Sequence, residues 1–351
     1  MMKHVLGASL VFALAAPVQG QQRAGQIDVT RLGPQVGDAV PDFRLQDFQG
    51  KTWARDAVMG PNGAMLVFSR SMDWCPYCKT QALDLQRRMP ELRAQGLGLA
   101  VITYDSPKVL ADFSRRRGIT YPLLSDAGSR TIRSYGILNT TVDQTSTNFG
   151  IPFPGTFIIN RQGVVTARFF EPAYQERTTV SSMMVNLGAG SRPAAAQRVT
   201  TDHIELTSYA TDDVVAPGSL FLLVFDVRLR ERMHVYAPGA KDYRVIAFNL
   251  EPNPLLVSRP ITYPSSEIYF FEPLNERVPV FQKPFRLTQS LALSTAQEHR
   301  QAVAGLDALT IKGTLDYQAC DDRICFTPKS IPVSFSVNVR PLDSERANVG
   351  Q

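Results

Sequence analysis

The texture of the chain changes once, and that change bounds the folds it can adopt. Up to about residue 187, short apolar runs alternate with stretches of helical spacing. Residues 64–69 are an apolar run, and 77–93 follow with Leu83, Leu85, Met89 and Leu92 at helical intervals. Residues 97–104 are a second apolar run, followed by 107–117 with Val109, Leu110 and Phe113 facing inward. Residues 156–160, 161–163 and 164–170 read as a strand, a tight turn and a strand, and 174–187 as a closing helix. Such alternation predicts an α/β domain with a central sheet covered by helices. The small-residue, Gly- and Pro-bearing stretch 188–200 reads as a linker. Beyond it helical periodicity nearly vanishes. Residues 220–229, 243–250, 268–271, 285–293, 309–316 and 331–339 read as strands between Pro- or Gly-rich turns, which predicts an all-β sandwich.

Composition agrees with two globular domains. The chain has 351 residues, 44% hydrophobic and 20% charged, which excludes a disordered, collagen-like or coiled-coil chain. The net charge of +5 (37 Lys and Arg against 32 Asp and Glu) is spread along the chain, so no nucleic-acid partner is expected. Four cysteines in two close pairs do not make a disulfide-framework miniprotein.

The N-terminal segment reads as an export signal. Lys3 is followed by the apolar stretch 5–16 and then Pro17-Val18-Gln19-Gly20, with small residues at Val18 and Gly20. The stretch is too short to span a hydrocarbon core of about 30 Å. Cleavage after Gly20 would place the mature protein in the periplasm or outside the cell, with no membrane span. Paired cysteines can rest there as disulfides.

Chemistry concentrates at Trp74-Cys75-Pro76-Tyr77-Cys78. The motif follows a buried strand and opens a helix, with Pro76 where a first-turn proline is tolerated. Cys75 then lies at the helix N-terminus, where free N–H groups and the dipole favour a thiolate. Cys78, one turn on, is placed to resolve a mixed disulfide. A redox pair is the leading reading, with zinc and an inert structural disulfide as the alternatives. Zinc lacks ligands, because His203, His234 and His299 are all remote in sequence. No metal or other cofactor is expected.

These residues resemble the thioredoxin superfamily. Residues 33–187 look like a redoxin domain of the AhpC/TSA type, with Val36-Gly37-Asp38-Ala39-Val40-Pro41-Asp42-Phe43 matching that family's opening. The active-site match is Trp74-Cys75-Pro76-Tyr77-Cys78, and Pro154-Gly155-Thr156-Phe157 resembles the segment carrying the superfamily's cis-proline. The resemblance implies that Pro154 faces the cysteines and leaves nearby backbone free for an extended substrate. It also implies a distinction from peroxidases. Aligned with peroxiredoxins, Cys78 takes the peroxidatic place, Cys75 replaces their threonine and Pro154 replaces their arginine. Disulfide exchange is therefore expected over peroxide reduction, with Arg70 as a substitute arginine if the chain is a peroxidase.

The second pair lies in Tyr317-Gln318-Ala319-Cys320 and Cys325-Phe326-Thr327-Pro328. Four intervening residues let a loop bring the sulfurs together. Taken alone, a staple at a strand end is the better reading. Together with His234-Val235-Tyr236-Ala237-Pro238, however, residues 201–340 resemble the immunoglobulin-like N-terminal domain of DsbD, a disulfide-bond corrector domain. That resemblance makes Cys320 and Cys325 a second redox couple, shielded by Tyr317 and Phe326. The family's membrane-spanning electron channel is missing. Residues Arg115 to Arg117 read as a solvated, dipole-complementing last turn, and His234 as surface or satisfied core.

The sequence thus predicts an exported thiol–disulfide oxidoreductase, with a thiol peroxidase and a non-catalytic binding module with structural disulfides as alternatives. Expected partners are protein or small-molecule disulfides and a membrane or periplasmic electron donor.

Overall fold

The computed structural model describes residues 28–188, 195–271 and 275–348. The expected signal segment 1–20 lies outside the described residues, as does 189–194 of the expected linker.

The first half is built on a seven-stranded sheet. In chain order its elements are β1 (Arg44–Asp47), β2 (Thr52–Ala54), β3 (Gly63–Phe68), α1 (Pro76–Arg87), α2 (Met89–Ala94), β4 (Leu97–Thr103), α3 (Pro107–Arg117), β5 (Leu123–Ser125), α4 (Arg130–Ser134), β6 (Gly155–Ile159), β7 (Val165–Phe170), β8 (Arg177–Thr178) and α5 (Val180–Asn186). The sheet order is β2-β1-β5-β4-β3-β6-β7, with β3, β4 and β5 mutually parallel and the rest antiparallel. All six residues of β3 are buried, as an apolar run covered on both faces requires. One face packs around Met65, Val67 and Val101 against α1 and α3, and the other around Leu66, Phe68 and Phe157. This is the thioredoxin-like arrangement expected of the first half.

Two helices differ from expectation. The stretch 77–93 breaks at Arg88 into α1 and α2, because Pro90 sits in the first turn of α2 and cannot supply the N–H that a continuous helix needs. The expected closing helix at 174–187 is shorter. Residues 177–178 form β8 instead, which joins the sheet of the second half by parallel pairing, and Thr179 caps α5 by accepting the Ser182 N–H.

The second half is rich in strands: β9 (Gln197–Thr200), β10 (Ile204–Ala210), β11 (Val214–Val215), β12 (Ser219–Leu229), β13 (His234–Tyr236), β14 (Ala247–Leu250), β15 (Leu256–Thr262), β16 (Glu267–Phe271), β17 (Glu276–Phe281), β18 (Phe285–Leu293), the short helix α6 (Arg300–Ala304), β19 (Ala308–Tyr317), β20 (Ala319–Cys320) and β21 (Lys329–Val339). They form sheets ordered β15-β18-β12-β10-β9, β11-β21-β19-β14 and β16-β17-β13-β20. One apolar cluster joins them, with Phe225, Phe248, Leu287, Leu315 and Phe335 among its members. The edge strand β15 escapes a pattern reading because it is largely exposed, contains Pro260 and shifts register between Ser258 and Ile261.

The halves are joined by more than the linker. Besides the β8–β12 pairing, Arg88 pairs with the buried Asp212, and Arg259 of β15 pairs with Glu171 and Glu176. The C-terminal residues 340–348 run back across α1 and α3. Arg340 donates to the Thr80 carbonyl, Arg117 pairs with Asp343 at 2.7 Å, and Arg346 pairs with Asp73 at 2.6 Å. Arg116 and Arg117 are therefore engaged by Asp112 and this strap rather than solvated.

Candidate active site

Cys75 is the N-cap of α1, and Pro76 is the first helical residue. The Cys75 Sγ accepts the Cys78 N–H at 3.3 Å, and the two sulfurs form a disulfide with Cα atoms 5.3 Å apart. Cys75 is 1% exposed and Cys78 0%. Both lie in the cluster against which Trp74 and Tyr77 pack.

A buried carboxylate holds the loop that enters the motif. Asp105, just past β4, accepts hydrogen bonds from the Ser71 hydroxyl (2.8 Å), the Met72 N–H (2.6 Å) and the Thr103 hydroxyl (2.9 Å). Ser71 Oγ in turn accepts the N–H groups of Asp73 and Trp74. Burial pushes the Asp105 carboxyl up to about 6, against the pull of these hydrogen bonds. Trp74 donates its indole N–H to the Tyr104 hydroxyl at 2.9 Å. The Arg70 guanidinium lies over the rings of Trp74 and Tyr174, 4.8 and 4.5 Å from their centroids.

Pro154 is buried immediately before β6. No described peptide bond is cis, so the expected cis-proline is not found; the bond preceding Pro154 is trans. Pro154 lines a cleft of about 350 Å³ with Arg70, Phe153, Phe170, Glu171 and Tyr174.

The sequence reading missed the charged group that touches the disulfide. Arg177 Nη2 lies 3.5 Å from Cys78 Sγ, and its Nη1 donates to the carbonyls of Tyr174 and Glu176. Burial, and then the like charge of Arg70, push the guanidinium down to about 9. No local pattern marks Arg177, because a strand of the second half places it.

The second pair has a different setting. Cys320 is buried on β20 and Cys325 is exposed, with Cα atoms 4.1 Å apart in a disulfide. The Tyr236 hydroxyl lies 3.0 Å from Cys320 Sγ and 3.2 Å from Cys325 Sγ. Tyr243 stacks on Tyr236 at 4.0 Å and donates to Glu276. The shielding expected of Tyr317 and Phe326 thus comes from Tyr236 and Tyr243, while Tyr317 and Phe326 pack against His203. His234 is buried core, opposite Cys320 in register, with its ring 4.5 Å from that of Tyr269. Cys75 and Cys78 belong to one apolar cluster and Cys320 to another. Among the described residues, no group of three or more His, Cys, Asp or Glu is placed to hold a metal ion. Nor is any described helix long and apolar enough to cross a membrane.

Comparison with known proteins matches residues 36–168 to the AhpC/TSA family. Thiol-disulfide oxidoreductase ResA of Geobacillus thermodenitrificans is 27% identical over 131 residues, which are 37% of this chain and 66% of that protein. Alkyl hydroperoxide reductase E of Mycobacterium bovis is 27% identical over 138 residues, 39% of this chain and 84% of that protein. A solved thiol peroxidase from Chromobacterium violaceum is 26% identical with a TM-score of 0.36, over 41% of this chain and 82% of its own. The similar proteins thus include both disulfide-exchanging and peroxide-reducing members. The strand order, the helix-capping cysteine and the family match agree: residues 36–168 are a redoxin domain of the AhpC/TSA type, in the thioredoxin superfamily.

Proposed function

We propose that the chain is an exported thiol–disulfide oxidoreductase that exchanges disulfides through Cys75 and Cys78. The observation that carries this reading is a disulfide closed across the first turn of α1, directly after the central strand β3 of a redoxin domain. A client thiolate attacks Cys75 Sγ, and Cys78 resolves the mixed disulfide in the reverse direction. Because Cys75 is 1% exposed, a client must first displace neighbours such as Trp74 and Tyr77. In this reading the domains span 33–187 and 201–340, and the second is an immunoglobulin-like module of the DsbD corrector type. Its exposed Cys325, with the Tyr236 hydroxyl within hydrogen-bond reach of both sulfurs, suits a second redox couple that relays equivalents within the chain or to a periplasmic donor. Export rests on the segment ending at Gly20.

A redox titration of the whole protein, with mass spectrometry to assign the cysteines, tests this. Both pairs should change state within the range spanned by thioredoxin and disulfide isomerase, with the first pair accelerating insulin reduction. Pairs that stay oxidised throughout would leave only a scaffold with structural cross-links.

Arg177 also supports a second reading, a thiol peroxidase acting through Cys78, since a cation at that sulfur replaces the arginine lost at Pro154. Rapid hydrogen peroxide consumption with a sulfenic acid first at Cys78 would favour it.

A further inference from the structure

We infer that Arg177 holds Cys78 as a thiolate in the reduced protein, and so biases the Cys75–Cys78 pair toward accepting electrons. The inference rests on the disulfide-exchange reading and adds its direction. Arg177 is buried, and among the described residues no carboxylate lies within ion-pair distance of it; its polar partners are two backbone carbonyls and the sulfur of Cys78. The charged and titratable groups around it are Arg70, which repels it, and Glu171 and Tyr77, which favour its charge. In the disulfide form this cation has no anion in contact, the costly state for a buried charge. Reduction supplies one at 3.5 Å. Cys78 also lies in the first turn of α1, where the helix dipole favours an anion. Both effects oppose the desolvation that would otherwise keep a buried thiol protonated.

The step balances without an added reagent. The thiolate of a client dithiol attacks Cys75 Sγ, a client–Cys75 bond forms, and the Cys75–Cys78 bond breaks. Cys78 leaves with the electron pair as a thiolate beside Arg177. The client's second thiolate then attacks its own sulfur in the mixed disulfide. Cys75 departs and takes up a proton, the client is oxidised to a disulfide, and the pair is reduced. A leaving thiol of low pKa departs faster, and stabilising the reduced form makes the disulfide a stronger oxidant.

Cys75→Ser protein, with Cys320–Cys325 left oxidised, isolates Cys78 for titration by ultraviolet thiolate absorbance. Cys78 should ionise well below the ordinary thiol value of about 8.5. Arg177→Gln in that background should reduce the thiolate population at least tenfold at a pH well below both ionisation midpoints, and Arg177→Lys should restore most of it. In the otherwise wild-type chain, Arg177→Gln should lower the equilibrium constant for reduction by glutathione at least tenfold. Cys78 titrating at or above about 8.5 with Arg177 in place overturns the inference, even if Arg177→Gln does not fold. An acidic Cys78 in a protein that exchanges no disulfides would overturn the proposed function and leave this anion site standing.

Discussion

At the scale of single residues, buried charge does most of the positioning around the first cysteine pair. Asp105 fixes Ser71 and Met72, and Ser71 passes that order to the N–H groups entering α1. Asp105→Asn keeps the volume but loses an acceptor, so below about pH 4, where the wild-type carboxyl is neutral too, unfolding in urea should show a loss of about 1–3 kcal/mol. The pH dependence has a definite sign. The folded-state pKa of Asp105 is raised from the ordinary 3.8 to about 6, so the native state binds the proton more tightly. Its contribution is fully present below the lower value and is lost as pH rises through the upper one. The wild type should therefore lose up to about 3 kcal/mol relative to Asp105→Asn across that interval, measured by denaturant unfolding at several pH values. Asp343 behaves oppositely. Burial pushes its carboxyl up, but Arg117 and Lys79 outweigh this and hold it below the usual range, so its contribution fades only in acid.

At the scale of elements, the C-terminal strap on α1 has no counterpart in the strand and helix patterns. The Lys79 side chain is fully buried beneath it, 3.7 Å from an Asp343 carboxylate that is itself 4% exposed. Such a pair adds little net stability over an apolar pair, yet breaking it from one side is costly. Asp343→Asn takes from the Lys79 cation its contacting carboxylate, leaving it the Glu345 carbonyl, and should cost about 3 kcal/mol in denaturant unfolding. Lys79→Met leaves Asp343 paired with Arg117 and should change stability by less than about 1 kcal/mol. Equal losses from the two substitutions would show that the strap acts through shape and not charge. The helix start at Cys75 was legible because a buried strand, a capping residue and a first-turn proline follow one another in the chain. The break at Arg88 was legible in principle from Pro90, since a proline removes the N–H that a helix interior requires.

At the scale of the whole molecule, the surroundings of the first cysteine pair are completed by a strand of the second half's sheet. Arg177 donates its N–H to the Gly218 carbonyl, Thr179 donates to Leu220, and β8 is thereby held against β12. Gly218 has φ +78°, and a Cβ there would fall 2.3 Å from the Gln175 carbonyl oxygen. Gly218→Ala therefore costs at least about 1–2 kcal/mol from backbone conformation alone, and the clash drives β8 outward. Hydrogen exchange should show protection of the Arg177 and Thr179 amides falling roughly tenfold or more, with central β3 amides least affected. Uniform loss of protection would mean that the halves unfold as one body and the junction is not a separate weak point.

Local patterning suffices for the alternating and strand-rich halves, the placement of Cys75 at a helix start and the closeness of each cysteine pair, because period, capping and loop length act over a few residues. Arg177 beside Cys78, Tyr236 against the sulfurs of the second pair, Asp105 beneath the entering loop and Asp343 over Lys79 depend on segments distant in sequence. Their burial, and with it the charge balance around each sulfur, exists only once those segments pack. Long-range desolvation and ion pairing, which no short window of residues encodes, therefore govern the electrostatics of both cysteine sites.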